Sequence, residues 1–144
     1  MGRQALMDAE ELHNFCLSLP EATFDFPFDE DTVCYRICNK IFALGSLEKV
    51  PLLVNLKCSP DIIDELREKF SCIRPGYHMN KRNWNTVVFD GVLSNTALII
   101  LIQHSYAMTF RSLTKKHQAI ALQQSPEIKQ ILDNFSTLEL EKIR

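Results

Sequence analysis

The sequence predicts a two-layer α+β domain in which helices cover one face of an antiparallel sheet. Three observations support this fold class: short β-rich segments follow one another through turns, strands and helices seldom alternate, and the helical segments carry apolar stripes. The predicted order is α-β-β-β-α-β-β-α, followed by an extra C-terminal helix. With 144 residues, 46% of them hydrophobic and 24% charged, the chain has the size and composition of one globular domain.

The first helix is predicted over residues 9–18. Asp8 followed by Glu11 is typical of a capping box, and Pro20 favours an end to the helix one residue before it. The next segment, residues 21–31, is acidic and carries a phenylalanine at every second position. We expect this segment to be extended and to cover an edge of the core, rather than to form a central strand.

Three strands are predicted next, at residues 33–38, 41–47 and 52–58, and a turn at Asn39-Lys40 joins the first two. Ser59-Pro60 favours the start of a second helix, over residues 59–70, because serine caps a helix and proline suits its first position.

The second half of the chain is predicted to hold two strands and two helices. A short strand is expected around Tyr77, a longer one at residues 84–89, and a helix over residues 94–113. Ser125-Pro126 then indicates a helix over residues 126–135.

The last helix carries an apolar stripe that must be buried. Its members are Ile128, Ile131, Leu132 and Phe135. We expect this helix to pack on the rest of the same chain or on a second copy. The protein is accordingly expected to be a monomer or a homodimer.

The segment at residues 75–87, P-G-Y-H-M-N-K-R-N-W-N-T-V, is the strongest candidate for a functional site. It combines aromatic, basic and amide side chains, and no acidic residue lies between Phe70 and Asp90. Such side chains suit a phosphate-bearing or stacking partner. The candidate residues are Lys57, Arg74, Tyr77, His78, Asn80, Lys81, Arg82 and Trp84. The alternative is a polar hairpin whose asparagines form turns and whose tryptophan packs into the core.

The same segment resembles the signature block of the MmcQ/YjbR family. Further blocks agree in order: S-L-P-E-A at 18–22, D-F-P-F-D-E-D-T at 25–32, F-A-L-G-S-L at 42–47, V-N-L-K-C-S-P at 54–60 and H-S-Y at 104–106, followed by Lys115-Lys116. The resemblance covers residues 8–117 and implies a fold similar to secretion chaperones and CyaY-like (frataxin-like) sheets. It therefore divides the chain into an MmcQ/YjbR-like domain at residues 1–117 and a C-terminal helical extension at residues 118–144, packed on that domain or on a second copy. It also implies DNA binding, a function attached to the family by analogy of fold.

The resulting functional hypothesis is a non-enzymatic DNA-binding protein that contacts anions through residues 74–84. The alternative is an adaptor domain that binds a protein or a small anion and has no role with nucleic acid. The net charge of −2 weighs against DNA. That charge is uneven: residues 1–31 contain one basic and eight acidic residues, and the remainder contains fifteen basic and ten acidic ones.

Catalytic, metal and membrane functions have little support in the sequence. The four histidines lack metal-binding spacing, the five cysteines form no C-x-x-C pair, and we predict neither cofactor nor metal site. A weaker hypothesis is an enzyme that uses His78 or Cys58. No apolar run reaches the roughly 18–20 residues that span a bilayer, and no signal peptide is evident, so we expect a cytoplasmic protein.

Overall fold

The computed structural model describes residues 6–143 and contains an antiparallel sheet. Its strands are β1 (Ala22–Asp25), β2 (Thr32–Ile37), β3 (Lys40–Ser46), β4 (Leu52–Lys57), β5 (Ile73–Pro75) and β6 (Trp84–Phe89). They lie in the order β1-β2-β3-β4-β6-β5, and every neighbouring pair is antiparallel. The helices are α1 (Ala9–Ser18), α2 (Ile63–Lys69), α3 (Asn95–Arg111), α4 (Lys115–Gln124) and α5 (Ile128–Phe135), followed by a 3-10 turn at Leu140–Lys142.

The predicted α+β class and its order of elements are confirmed, with two additions. Residues 22–25 pair with β2 as an edge strand, and α4 is a separate helix with Ala121 as its buried residue. Its weak apolar periodicity explains why the sequence did not indicate it.

The two faces of the sheet differ in chemistry. Val54 and Leu56 of β4 belong to the buried core together with Leu12, Leu66 and Leu98 of α1, α2 and α3. Because side chains alternate along a strand, Asn55 and Lys57 lie on the opposite, open face. Their partners on β6 are Thr86 and Trp84. The open face therefore carries polar and aromatic groups next to each other.

Local hydrogen bonds account for most of the helix boundaries. Asp8 and Glu11 form the predicted capping box of α1. However, α2 begins at Ile63 and not at Ser59, because the amides of Ile62 and Ile63 both bond to the Ser59 carbonyl and make a tight turn first. A similar turn after Ser125 delays α5 to Ile128.

The strand expected around Tyr77 lies earlier, at residues 73–75. The amide of Gly76 still bonds to the Trp84 carbonyl at 2.9 Å, and the chain then leaves the sheet, so Tyr77 falls in the connecting loop. Proline at position 75 has no amide hydrogen to donate, which suits the outermost strand.

The phenylalanines of the acidic segment cover less of the core than expected. Phe24, Phe26 and Phe28 remain 46%, 42% and 69% exposed. The reason is that β1 is the edge strand at the other end of the sheet from β5. Phe24 packs against the edge of α1 through a ring contact with His13 at 4.7 Å, and against Phe26 at 6.3 Å.

The C-terminal helix α5 packs against α3 of the same chain. Ile128 is fully buried, whereas Ile131, Leu132 and Phe135 are half-buried. The Nδ1 atom of His104, in α3, donates to the Phe135 carbonyl at 2.7 Å, and its Nε2 atom accepts from the Ser59 amide at 3.1 Å. Burial lowers the pKa of His104, and the bond to Phe135 offsets part of that effect. His104 is therefore a structural, neutral histidine.

Two further sequence expectations concern membranes and cysteines. No helix within residues 6–143 is long and apolar enough to cross a membrane. All five cysteines are unpaired, and four of them are buried, as expected of cysteines that serve as small apolar residues.

Candidate functional site

The candidate segment forms a hairpin in which β5 and β6 are joined by residues 76–83, hereafter the hairpin loop. The loop begins where Gly76 lies against Trp84. A side chain at position 76 would place its Cβ 2.9 Å from the Trp84 Cβ and carbonyl oxygen, so only glycine fits this close approach.

Asparagine and lysine side chains shape the loop from within. The Asn80 side-chain oxygen accepts from the Arg82 amide at 2.8 Å, and the backbone carbonyl of Asn80 accepts from the amides of Asn83 and Trp84. Lys81 Nζ donates to the Gly76 carbonyl at 3.1 Å. Two of the predicted site residues, Asn80 and Lys81, thus make hydrogen bonds within the loop.

The loop is also held from the core side of the sheet, by Arg67 of α2. Arg67 Nε donates to the Asn85 side chain at 2.7 Å, and one of its terminal nitrogens donates to the carbonyls of Lys81 and Trp84, the latter at 3.1 Å. Asn85 is almost fully buried. The sequence analysis missed this arginine, because nothing in a helical pattern indicates contact with a later loop.

On the open face, Asn55 and Thr86 hold the other side of the loop. The Thr86 hydroxyl accepts from the Tyr77 amide at 2.9 Å and donates to the Asn55 side-chain oxygen. The Asn55 amide group in turn donates to the Tyr77 carbonyl at 3.2 Å. Contacts on both faces of the sheet therefore fix where the loop places its side chains.

The remaining candidates on the hairpin face solvent. Tyr77 is 70% exposed, and its ring lies 4.0 Å, centre to centre, from that of His78. His78 has a φ of 58°, in the left-handed region. Arg74 on β5 and Arg82 in the loop are also exposed.

Lys57 and Trp84 lie together in an open cleft of about 300 Å³, hereafter the basic cleft. They are cross-strand neighbours at the end of β4 and the start of β6. The cleft is lined by Arg36, Asn39, Lys40, Ile41, Lys57, Met79, Trp84, Thr109 and Ser112. Three cations, two hydroxyl groups and a tryptophan thus face one space, and none of the lining residues in the described part of the chain is acidic.

The three cations differ in how they are held. Arg36 Nε pairs with Asp25 at 2.9 Å, and another of its nitrogens donates to the Asn39 carbonyl. Lys40 Nζ donates to the Ser112 carbonyl at 3.3 Å, at the end of α3, where a positive charge is favourable. Burial lowers the pKa of Lys57, and the nearby charge of Lys40 lowers it further. Within residues 6–143, Lys40 and Lys57 thus have no carboxylate partner, whereas Arg36 has one.

The sequence analysis did not identify Arg36 and Lys40. A usable signal was present, since Arg36 stands between the core residues Tyr35 and Ile37, and Lys40 directly follows the turn of the same hairpin. That turn lies at Cys38-Asn39 and not at Asn39-Lys40 as predicted, because Lys40 already pairs with Ile37 in the sheet. What the sequence could not give is the register that brings this turn beside Lys57 and the hairpin loop.

Catalytic use of Cys58 is not supported. Burial raises the pKa of its thiol to about 12, so the thiol stays protonated near neutral pH, and Cys58 lies on the core side. Within residues 6–143, no group of three or more His, Cys, Asp or Glu residues is placed to hold a metal ion.

Comparison with known proteins places this fold and this hairpin in a family. The sequence profile of YjbR matches residues 17–108, which include β1 to β6 and most of α3. The chain belongs to the YjbR family. The uncharacterised YjbR protein of Escherichia coli K12 is 28% identical over 117 residues, which are 81% of this chain and 99% of that protein. The uncharacterised YbdF protein of E. coli O157:H7 is 34% identical, over 78% of this chain and 95% of its own length.

Solved structures agree with this assignment. A crystal structure of a Deinococcus radiodurans protein with a DUF419 domain superposes with a TM-score of 0.76 at 30% identity, covering 81% of this chain and 88% of that one. A Pseudomonas syringae protein superposes with a TM-score of 0.62 at 26% identity, covering 72% of this chain and 99% of that one.

Proposed function

We propose that this YjbR-family protein binds a small phosphate-bearing anion in the basic cleft. The observation that carries the proposal is the convergence of Arg36, Lys40 and Lys57 on one cleft with no acidic lining residue. Arginine can bond to two phosphate oxygens at once, and lysine adds a mobile point charge. The hydroxyl groups of Thr109 and Ser112 already donate to the carbonyls of Ile41 and Thr109, so the three cations are the donors available to an anion.

Trp84 supplies the apolar part of the site. Together with Ile41 and Met79 it gives the cleft one apolar wall, whereas the cations come from β2, β3 and β4. Ligand sites commonly combine apolar walls with a few convergent polar groups. A ligand that carries both a phosphate and a flat or apolar portion would use both parts of this cleft.

The test uses Trp84, the single tryptophan of the chain, as a fluorescent reporter inside the cleft. Inorganic phosphate and glycerol phosphate are titrated at low salt, and potassium chloride of equal ionic strength serves as the blank. We expect a saturable change that is weakened at least several-fold in Lys40→Ala and Lys57→Ala. The matched control is Lys129→Ala, which removes a lysine from α5 that pairs with Asp133.

Two results would overturn the proposal. One is the absence of any saturable change with either phosphate. The other is a change of equal size and midpoint in the wild type, the two cleft variants and the control.

DNA binding is the second candidate function, and one observation favours it. The exposed side chains of Arg74, Tyr77, His78 and Arg82 project from one hairpin, where they could contact phosphates and stack on bases. Against it stand the net charge of −2 and the strongly acidic first 31 residues.

A salt series with labelled duplex DNA separates the two candidates. DNA binding requires an affinity that falls steeply with salt and weakens in Arg74→Ala and Arg82→Ala, while Lys129→Ala has no effect. If no complex forms at low salt although phosphate still changes Trp84 fluorescence, the small-anion function stands and DNA binding is removed.

A further inference from the structure

Lys57 differs from its neighbours in the basic cleft in what surrounds its amine. It is the last residue of β4 and lies beside Trp84 on the open face, with its side chain half-buried. Arg36 is paired with Asp25, and Lys40 bonds to the Ser112 carbonyl. Among residues 6–143, no carboxylate forms an ion pair with Lys57.

The surroundings of Lys57 make the uncharged form of its amine more accessible than in an exposed lysine. Burial lowers its pKa because the ammonium form loses hydration, and the charge of Lys40 acts in the same direction. An uncharged lysine amine is a nucleophile, and a lysine that is desolvated next to another cation is a recognised way to activate it.

We propose that Lys57 is a reactive amine that forms an imine with an aldehyde carried by a phosphate-bearing ligand in the basic cleft. This inference rests on the proposed function, since the cleft must hold the phosphate near Lys57. Arg36 and Lys40 attract the anionic group, and Trp84 and Met79 flank the remainder of the ligand.

The chemistry of this step is a condensation without any change of oxidation state. Lys57 first gives a proton to solvent, and its nitrogen then attacks the aldehyde carbon, so that a carbon–nitrogen bond forms. The carbonyl oxygen leaves as water, and an imine remains. Hydrolysis reverses the step, so the site can take up and release its ligand.

The experiment uses pyridoxal 5′-phosphate as the probe, because it carries an aldehyde, a phosphate and a flat ring. Sodium borohydride then transfers a hydride to the imine carbon and fixes it as a stable amine, which peptide mass spectrometry locates. We expect modification concentrated at Lys57, strongly reduced by excess inorganic phosphate, and weak with pyridoxal, which lacks the phosphate. Modification of Lys57 should persist to lower pH than that of exposed lysines, because its pKa is lowered.

Two variants make the result specific. Lys57→Arg keeps the positive charge but cannot form an imine, so the adduct should be lost. Lys129→Arg changes a lysine that is 78% exposed and outside the cleft, and the adduct at Lys57 should be unchanged. Even labelling of all lysines, or an adduct at Lys40 instead of Lys57, would overturn the inference.

The failures of the two proposals can be told apart. If phosphate changes Trp84 fluorescence in the wild type and in Lys57→Arg but no Lys57 adduct forms, the inference falls and the anion site stands. If Lys57 reacts equally with pyridoxal and its phosphate, the imine forms without phosphate recognition, and both the ligand class and the proposed anion site are contradicted.

Discussion

Two segments of this protein alternate aromatic and charged residues, and the fold treats them differently. The acidic segment, residues 21–31, ends in a turn in which Asp29 accepts hydrogen bonds from the amides of Asp31 and Thr32 at 2.9 and 2.7 Å. These bonds lower the pKa of Asp29, because they favour its charged form. The phenylalanines of this segment remain largely exposed.

The hairpin loop is instead held from both faces of the sheet. Arg67 bonds to it from the core side, and Asn55 and Thr86 bond to it from the open side. As a result, Met79 and Trp84 have fixed places in the basic cleft. The comparison teaches that an aromatic and charged composition marks a candidate site, whereas polar contacts to the backbone decide whether the side chains are organised into one.

The two segments meet at Arg36. This residue lines the basic cleft, yet its side chain is paired with Asp25 of the acidic segment. The acidic segment can therefore compete with an anionic ligand for one of the three cations of the cleft.

The largest effect, on the free energy of unfolding, is expected where the acidic segment contacts the C-terminal helices. The Ser125 hydroxyl donates to Glu21 at 2.6 Å, and Ile128, three residues later, is fully buried. Ile128→Ala should lower the free energy of unfolding by about 2–5 kcal/mol, because it leaves a cavity. Amide hydrogen exchange should show that residues 20–25 lose more protection than residues 84–89.

Ile120→Ala is the matched control, because Ile120 is exposed on α4. Its effect should stay within about 0.5 kcal/mol. We propose that the protein is a monomer, so neither substitution should change its mass in solution. A dimer that dissociates in Ile128→Ala would show that α5 packs on a second copy.

The next effect concerns the anchor of the hairpin loop. Arg67→Ala removes the side chain that donates to the buried Asn85 side chain and to the carbonyls of Lys81 and Trp84. We expect a loss of about 2–3 kcal/mol in denaturant unfolding, together with weaker phosphate binding. Arg82→Ala, at an exposed loop position, should change stability by less than about 0.5 kcal/mol. Equal losses in the two variants would mean that Arg67 does not organise the loop.

A smaller effect, of opposite sign, is expected at the point where the segments meet. Asp25→Asn releases Arg36 from its ion pair, so phosphate should bind more tightly. Such a partly exposed pair contributes about 0.2–1 kcal/mol, which corresponds to roughly a 1.5- to 5-fold gain in affinity. Glu30→Gln is the control, because it removes one negative charge from the same segment but breaks no ion pair with Arg36. Calorimetric titration of both variants with phosphate then distinguishes the loss of the ion pair from a general loss of negative charge. Unchanged or weaker binding by Asp25→Asn would contradict the competition.

The smallest effect is expected at the exposed end of the acidic segment. Phe28 is 69% exposed, so Phe28→Ser should change the free energy of unfolding by less than about 0.5 kcal/mol and leave phosphate binding unchanged. Ile128→Ala, in the core, provides the contrast, with its expected loss of about 2–5 kcal/mol. A large effect of Phe28→Ser would mean that this segment is packed more firmly than the fold indicates.

Local patterns were enough to predict most of the fold. The capping box at Asp8 and the apolar stripe of α5 depend on neighbours in the sequence, and both are present. The turn predicted at Asn39-Lys40 lies one residue earlier, at Cys38-Asn39, because Lys40 already pairs with Ile37 as the first residue of β3. The start of α2 and the position of β5 were misplaced by a few residues, because the Ser59 carbonyl accepts from two amides in a tight turn and the Gly76 amide donates to the Trp84 carbonyl.

The candidate site was predictable only in part. Lys57 and Trp84 were identified from composition and strand alternation, and they do line the cleft. Arg36, Lys40 and Arg67 act through contacts across the sheet or between α2 and the hairpin loop, and no single segment encodes such contacts. A site assembled from distant parts of the chain can be predicted only when the register of the sheet is known.

The most direct test of the basic cleft is a phosphate titration followed by backbone amide chemical shifts. The account predicts saturable shifts at the cleft residues, namely residues 36, 39–41, 57, 79, 84, 109 and 112, and little change at the exposed loop positions 77, 78 and 82. The shifts should disappear in a Lys40→Ala, Lys57→Ala double variant that retains the wild-type spectrum elsewhere. Saturable shifts centred on the hairpin loop or the acidic segment, with the cleft unchanged, would contradict the account.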